Sequence, residues 1–355
     1  MPSVETQVFE VAGEVSFSEF QLPTRSCGDY FIIDALIDGS GPFPMLLDTG
    51  AGTTTITPQV ASQAGVSDWI QSFQIDRFHA DGNIPCRVQE LDHISRALGM
   101  EIQGIVGYGV FEGVLLTYDY PQQQIRVKKG SFPEAELALD NVVPTSEGSR
   151  PYIRVSTQGK DFTALLDTGS SRSLTFTKLS RFDFEEPPTP TGARMRVNGL
   201  FLVESGRLDG DLKAGPLLLK KPILHDATST SLIGQEILRD FVLTFDQIHH
   251  YVRFDKPDGD WSDPIEALPL YGTGIVSAPR EDRLIVRRIF EGTAAEAGGV
   301  LVDDEILAIN GVAITDRGCA HLEYSPQLGP EPVEMLIERN GERLTVRFET
   351  AVLVY

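Results

Sequence analysis

The chain has 355 residues, of which 41% are apolar and 23% are charged. This length fits two or three globular domains, and the composition excludes a disordered or coiled-coil protein. The formal net charge of −21 argues against nucleic acid or an anionic membrane as the main partner. We therefore expect an acidic, well-solvated surface, and a preference for basic substrates would also fit this charge.

Cysteine and histidine patterns give no sign of a metal site or a disulfide framework. Cys27, Cys86 and Cys319 are too few for a framework, and only a single Cys27–Cys86 bridge stays open. There is no HExxH or CxxC motif, so we expect no metal and no other cofactor. The start of the sequence has no signal-peptide pattern, and no apolar run is long enough for a membrane span. The expected location is the cytoplasm as the sequence stands, or the periplasm or exterior if a leader was removed.

Two blocks of sequence recur in the same order in the first two-thirds of the chain. The first block is PFPMLLDTGAGTTTITP (42–58) in one copy and DFTALLDTGSSRSLTF (161–176) in the other. The second block is GIVGYGVFEGVLLTYDYPQQQIRV (104–127) and then SLIGQEILRDFVLTFDQIHHYVRF (231–254). Two blocks repeated in the same order predict two related structural units.

Each copy is predicted to form a mostly β lobe. YFIIDALIDG and PYIRVSTQG are predicted as the outer strands of hairpins whose inner strands end at LLDTG. A single helix is expected in each lobe, directly after Gly107 or Gly234. The second lobe has about eight more residues between its DTG and its late glycine, in a Pro- and Gly-rich region predicted as a loop or hairpin tip. The polar, Pro-rich segments 129–147 and 256–270 are predicted as linkers.

An aspartate ends the apolar inner strand of each copy. These residues, Asp48 and Asp167, are 119 positions apart (167 − 48). A buried carboxylate is costly unless it is hydrogen-bonded, and the glycine two positions later lets backbone amides approach it closely. If the two loops meet at a pseudo-two-fold axis, the two carboxyl groups hold one proton between them. One can then take a proton from water while the other polarises a substrate carbonyl.

Each copy contains LLDTG followed by Ala or Ser, and an apolar-apolar-Gly triplet late in the copy. This combination resembles the aspartic peptidase clan. The likeness is closest to bacterial retropepsin-like aspartyl proteases, and it covers about residues 10–255. It implies two tandem acid-protease-type β-barrel lobes that form a pseudo-two-fold dimer, with Asp48 and Asp167 as the catalytic residues. The residues implied to support the catalytic loops are Thr49, Gly50, Thr168, Gly169 and Ser170. The late glycines would pack beneath these loops.

Three features of the lobes need the tertiary structure. The flap candidates, 79–83 and 193–199, follow from position alone. The lobes can pair within one chain or between subunits, and we expect a monomer with intrachain pairing rather than an obligate dimer. After the glycine the two loops differ, with Ala51 in one and Ser170 in the other. Because a serine hydroxyl can stabilise its ionised carboxylate, we hypothesise that Asp48 more often holds the proton.

A different pattern begins near residue 270. RLIVRRIFEGTAAEAGGVLVDDEILAINGVAIT (283–315) resembles a bacterial PDZ domain, and the likeness extends over nearly the full length of that domain. It implies peptide binding by β-augmentation, with a glycine-containing loop that holds a terminal carboxylate. The loop residues implied are Gly272, Thr273, Gly274 and Ile275. The helix that would flank the groove falls around CAHLEYSPQL (319–328), and its Pro326 is unusual there.

These features together predict a mainly β protein of three domains. They are an N-terminal aspartic protease lobe (1–135), a second lobe (145–257) and a PDZ β-sandwich or barrel (268–355). The predicted function is an aspartic endopeptidase with a module that binds peptides or protein C-termini. The alternative is a catalytically silent peptide-binding or regulatory protein. A nucleotide-binding enzyme is rejected because GIVGYG has the wrong glycine spacing and no surrounding βαβ unit.

Overall fold

The computed structural model describes residues 19–196, 199–227, 229–261, 263–280, 283–316 and 331–355. Its described residues are mainly in strands, and the strands of the first two-thirds form barrel-like sheets. The mainly β fold class predicted from the sequence is therefore confirmed.

The first lobe is a barrel of short strands. Its strands and those that enter and leave it are β1 (Glu19–Leu22), β2 (Arg25–Cys27), β3 (Tyr30–Ile37), β4 (Ser40–Leu47), β5 (Thr54–Ile56), β6 (Trp69–Ile75), β7 (Phe78–Val88), β8 (Gly104–Val106), β9 (Val114–Asp119) and β10 (Gln124–Lys129). Seven of them follow the order β2-β3-β4-β8-β5-β7-β6, and a β3–β6 pairing closes the barrel. The hairpin β3–β4 confirms the predicted outer and inner strands.

Helices in the first lobe are more numerous than predicted. A 3-10 turn (Tyr108–Phe111) follows the late glycine as expected, but α1 (Pro58–Ala64) and α2 (Asp92–Leu98) come before it. The expectation of one helix was wrong. The start of α1 is set locally, because the Thr57 hydroxyl accepts the N–H of Val60 (3.4 Å) and Pro58 suits the first turn. Gly65, with φ of 69°, ends it.

The second lobe repeats this plan with an added hairpin. Its strands are β11 (Val142–Pro144), β12 (Tyr152–Thr157), β13 (Lys160–Asp167), β14 (Leu174–Thr177), β15 (Thr189–Arg196), β16 (Gly199–Arg207), β17 (Leu212–Ala214), β18 (Leu217–Lys220), β19 (Ile223–Ala227), β20 (Leu232–Gly234), β21 (Val242–Asp246), β22 (Tyr251–Asp255) and β23 (Ile265–Glu266). The short helix α3 (Gln235–Leu238) follows the late glycine, as predicted. The Pro- and Gly-rich insertion forms most of the antiparallel pair β15–β16 at the edge of the sheet.

A six-stranded sheet joins the two lobes. Its order is β1-β10-β9-β21-β22-β11, so strands from both repeats pair directly. At the β9–β21 junction, Thr117 faces Thr244, and their hydroxyl groups are 3.0 Å apart. The aspartates that end these strands, Asp119 and Asp246, accept backbone N–H groups of the following turns. One continuous hydrophobic core runs through both lobes.

The C-terminal unit has a core of its own. Its strands are β24 (Leu270–Gly272), β25 (Ile275–Arg280), β26 (Arg283–Ile289), β27 (Glu305–Ile309), β28 (Val312–Ala313), β29 (Val333–Arg339), β30 (Glu342–Phe348) and β31 (Ala351–Val354), with the helix α4 (Ala294–Ala297) between β26 and β27. Val286, Ile306 and Ile337 are at the centre of this core. Strands β24 and β31 pair separately from the main sheet.

The segments predicted as linkers contain strands that pair with the second lobe. Strand β11 lies in 129–147 and pairs with β22, and β23 lies in 256–270 and pairs with β18. Burial raises the pKa of the free Cys86 thiol to about 11. The Cys27–Cys86 bridge that the sequence left open is therefore not formed.

Candidate active site

The two DTG turns lie against each other, each at the end of the inner strand of its lobe. The Gly50 N–H donates to Asp48 Oδ1 (2.7 Å), and the Gly169 N–H donates to Asp167 Oδ1 (3.0 Å). A Cβ added at Gly50 would lie 2.5 Å from Asp167 Oδ1, and one at Gly169 would lie 2.5 Å from Asp48 Oδ1. Each glycine thus packs on the carboxyl group of the opposite lobe. The structure brings Asp48 and Asp167 together, and we call them the aspartate pair.

The threonines between these residues link the two loops. The Thr49 N–H donates to Thr168 Oγ1 (3.0 Å), and the Thr168 N–H donates to Thr49 Oγ1 (3.1 Å). The Thr49 hydroxyl also donates to the carbonyl of Leu166 (2.7 Å). Both threonines are buried. Because each hydroxyl satisfies a buried amide of the other lobe, this interlock fixes the relative position of the aspartate pair.

Electrostatics favour one shared proton on the aspartate pair. Burial raises the pKa of Asp48, while the amides of Gly50, Ala51 and Gly169 and the hydrogen bond with Asp167 oppose that rise. Burial, and then the negative charge of Asp48, raise the pKa of Asp167 to about 8. Both pKa values are therefore raised, as expected for two carboxyl groups in contact that hold one proton between them.

The hypothesis that Asp48 more often holds the proton stays a prediction. It needed the Ser170 hydroxyl to stabilise Asp167 as an anion. In the structure Ser170 Oγ accepts the N–H of Arg172 (3.4 Å). The hydrogen-bond donors that lower the pKa of Asp48 include backbone amides, and one of these, Gly169, belongs to the opposite loop.

Tyr30 and Arg150 also border the aspartate pair, and the sequence analysis missed them. They hold equivalent positions in the two lobes. Tyr30 lies two residues before Ile32, which pairs with Leu46, and Arg150 lies two residues before Tyr152, which pairs with Leu165. These two leucines each lie two residues before the aspartate of their lobe. Each reaches the opposite lobe, since Tyr30 is hydrogen-bonded to Ser171 and the Arg150 Cγ lies 3.4 Å from a Cβ added at Gly52. Burial raises the pKa of Tyr30, and the positive charge of Arg150 lowers that of Asp167. The repeats carry no signal for them, because the two positions hold different residue types and lie outside both repeated blocks.

The late glycines lie where the resemblance placed them. A Cβ added at Gly107 would lie 2.8 Å from the Thr54 nitrogen, and one at Gly234 would lie 2.6 Å from the Ser170 carbonyl oxygen. Both therefore pack against the loop that follows their own aspartate. Next to Gly234, the buried Gln235 donates to the carbonyl of Thr168 (2.6 Å).

The two flap candidates lie in different hairpins. Residues 79–83 are inside β7, and the tip of the β6–β7 hairpin is at Asp76 and Arg77. Ala80 and Asp81 line the same cavity as residues 52–54 of the first catalytic loop. The candidate 193–199 spans the end of β15 and the start of β16, where Arg196 pairs with Gly199, so it lies at the end of that hairpin. Its side chains lie outside the described residues.

The proposed carboxylate loop of the C-terminal unit is a tight turn between β24 and β25. Gly274 has a φ of 75°, and a Cβ added there would collide with the Thr293 side chain. The Ile275 N–H is bound by Thr273 Oγ1 (3.2 Å), and the Ile275 side chain packs on the core of the unit. The turn therefore requires glycine, and the amide of Ile275, one of the loop residues expected to hold the carboxylate, already has an acceptor. The predicted helix at 319–328 lies outside the described residues.

Comparison with protein families identifies both parts of the chain. A family model for aspartyl proteases matches residues 33–110, and a model for PDZ domains matches residues 266–323. No curated protein matches the chain. The chain thus contains a retropepsin-like aspartyl protease domain followed by a C-terminal PDZ domain, and the resemblance stated from the sequence is confirmed. Within the described residues, no helix has the length and apolar character needed to cross a membrane.

Proposed function

We propose that this protein is an aspartic endopeptidase that uses Asp48 and Asp167 of one chain and recruits peptides through its PDZ domain. The observation that supports this most strongly is the aspartate pair itself. Two partly buried carboxyl groups from two lobes lie together, each with a raised pKa and with a glycine of the opposite lobe packed on it. Such a pair supplies a base and an acid at the same place, which is what water-mediated amide hydrolysis requires.

In the proposed reaction, the ionised aspartate of the pair takes a proton from a water molecule, and the water oxygen bonds to the carbonyl carbon of the substrate. The protonated aspartate gives its proton to the carbonyl oxygen, which yields a tetrahedral diol. The first aspartate then gives its new proton to the leaving nitrogen as the C–N bond breaks. The second regains a proton from one diol hydroxyl, and the pair returns to its starting state. The Thr49–Thr168 interlock keeps the two carboxyl groups in register throughout.

The PDZ domain would bind a peptide or a protein C-terminus, as this class of domain does by strand addition. It would raise the local concentration of substrate near the lobes because both are on one chain. We further propose that the protein acts as a monomer, since both halves of the aspartate pair come from the same chain.

The test is cleavage of a diverse peptide library from pH 3 to pH 8. Wild type is compared with Asp48→Asn and Asp167→Asn, with a pepstatin-type inhibitor as a chemical control. Asp76→Asn, in an exposed turn, is the matched control for the same substitution. We expect cleavage by wild type and Asp76→Asn, and loss of at least a thousandfold in both pair variants. Absence of cleavage by wild type would favour the silent peptide-binding protein instead.

A further inference from the structure

A cavity of about 500 Å³ opens beside the catalytic loop of the first lobe. Residues 52–54 of that loop form one wall, and the turn at 107–112 and strand β7 form others. Residues 147–149, which lead into β12, close the side next to Arg150. Gly52, four residues after Asp48, and Ser149, next to Arg150, both line the cavity, so it lies beside the loops that border the aspartate pair.

The lining of this cavity is negatively charged. It contains the carboxyl groups of Asp81, Glu112 and Glu147, against the single imidazole of His250. Across the described part of the chain, these three carboxyl groups form no ion pair with a lysine or arginine. Three carboxylates exceed the charge of one histidine even when that histidine is protonated. Ile84 and Val110 add apolar wall between the charged groups.

The equivalent cavity of the second lobe differs from it in one charged position. That cavity is lined by three carboxyl groups as well, those of Glu236, Asp240 and Glu266, but also by Arg239 and by the imidazole of His225. Arg239 holds the repeat position of Glu112, 127 residues later, and its Nη1 lies 3.7 Å from Asp29 Oδ2. The equivalent of Asp29 on the first-lobe side is Ser149, which carries no charge. The second-lobe cavity therefore has an arginine among its carboxyl groups, and the described lining of the first-lobe cavity has neither arginine nor lysine.

We propose that the first-lobe cavity is a subsite for a lysine or arginine side chain of the substrate. This inference rests on the proposed peptidase function and names its substrate class. The aliphatic stem of such a side chain would pack on Ile84 and Val110, and its cationic end would reach Glu112, Asp81 or Glu147. Because Arg239 opposes a cation in the second-lobe cavity, we expect the preference to be stronger on the first-lobe side of the cleaved bond.

The test uses two peptides that differ at one position, with lysine in one and the uncharged, similarly shaped norleucine in the other. To choose this position, lysine and norleucine are placed at each residue of the peptide in turn. The position with the largest ratio of kcat/KM between the two peptides is used. We expect wild type to cleave the lysine peptide with at least tenfold higher kcat/KM. The triple variant Asp81→Asn, Glu112→Gln and Glu147→Gln should reduce that ratio below about threefold, while norleucine cleavage stays within threefold of wild type. Glu236→Gln, the matched change in the second-lobe cavity, should keep the full preference.

A binding measurement separates this inference from the proposed function. Asp48→Asn, with and without the triple change, is titrated with the same two peptides by calorimetry. Cleavage by wild type with no lysine preference, or a preference that survives the triple change, would overturn the subsite and leave the peptidase intact. If wild type cleaves nothing, the peptidase proposal fails. Whether the cavity selects cations is then decided by binding, from the ratio of the affinities of the lysine and norleucine peptides for the Asp48→Asn variant without the triple change.

Discussion

Two pairs of threonines, Thr49 with Thr168 and Thr117 with Thr244, are related by the pseudo-two-fold axis. The two pairs have different hydrogen-bond partners, so their contributions to the free energy of unfolding should differ. The Thr49 and Thr168 hydroxyls accept backbone N–H groups of the opposite lobe, and Thr49 also donates to Leu166. The Thr117 and Thr244 hydroxyls bind each other (3.0 Å). Valine keeps the shape of threonine and removes the hydroxyl, so the two double valine variants separate these cases.

The expected losses follow from the buried groups that remain without a partner. Thr49→Val with Thr168→Val leaves two buried N–H groups without their acceptors, at about 1–3 kcal/mol each. We therefore expect the free energy of unfolding to fall by about 2–6 kcal/mol, with loss of cleavage because the aspartate pair moves. Thr117→Val with Thr244→Val removes donor and acceptor together, and we expect it to cost less than about 1 kcal/mol.

Urea-induced unfolding followed by tryptophan fluorescence is the assay. The sequence has two tryptophans, Trp69 in β6 and Trp261, which stacks on Phe241 of the second lobe. The signal therefore reports the lobes and not the PDZ domain. Thr49→Ser with Thr168→Ser, which keeps the hydroxyls, is the control and should retain most of the stability. Equal losses in the two double valine variants would refute the role assigned to the interlock.

Three further outcomes are expected. Because the native pKa of Asp167 lies near 8, above that of a free aspartate, its contribution to stability is present below about pH 4 and is lost as pH rises through 8. Thermal unfolding of Asp167→Asn should depend less on pH over this range, and parallel curves would contradict the raised pKa. Gly169→Ala should abolish cleavage because its Cβ meets the Asp48 carboxyl, whereas Gly192→Ala, with open space around it, should not. Arg207 donates to two carbonyls of the segment 256–270 and to the C-terminal residue, so Arg207→Ala should speed limited proteolysis of that segment, and an unchanged rate would contradict this anchoring role.

Features that depend on local sequence were accessible without the structure. The repeated LLDTG predicted that Asp48 and Asp167 each end an inner strand, because an apolar strand followed by a tight turn is a local pattern. The signals for α1 are local as well, with Thr57 and Pro58 at its start and Gly65 at its end. This helix was therefore predictable from the sequence, although it was not predicted.

Features that depend on strand pairing were not accessible. Tyr30 and Arg150 lie outside both repeated blocks, and only the β3–β4 and β12–β13 registers carry them to the aspartate pair. Strand pairing likewise decides where the flap candidate at 79–83 lies, because the β6–β7 register places it inside β7 with the hairpin tip at Asp76 and Arg77.

The sequence by itself determined the two related lobes, the two aspartates and the PDZ domain, because each is encoded by a contiguous motif. Only the tertiary structure decided which groups surround each aspartate and which cavity has carboxyl groups without an arginine. Both properties arise between residues from different lobes, such as Gly169 with Asp48, or Arg239 with Asp29. Hydrogen bonds and charge interactions depend on separation in space, and separation along the chain does not reveal it.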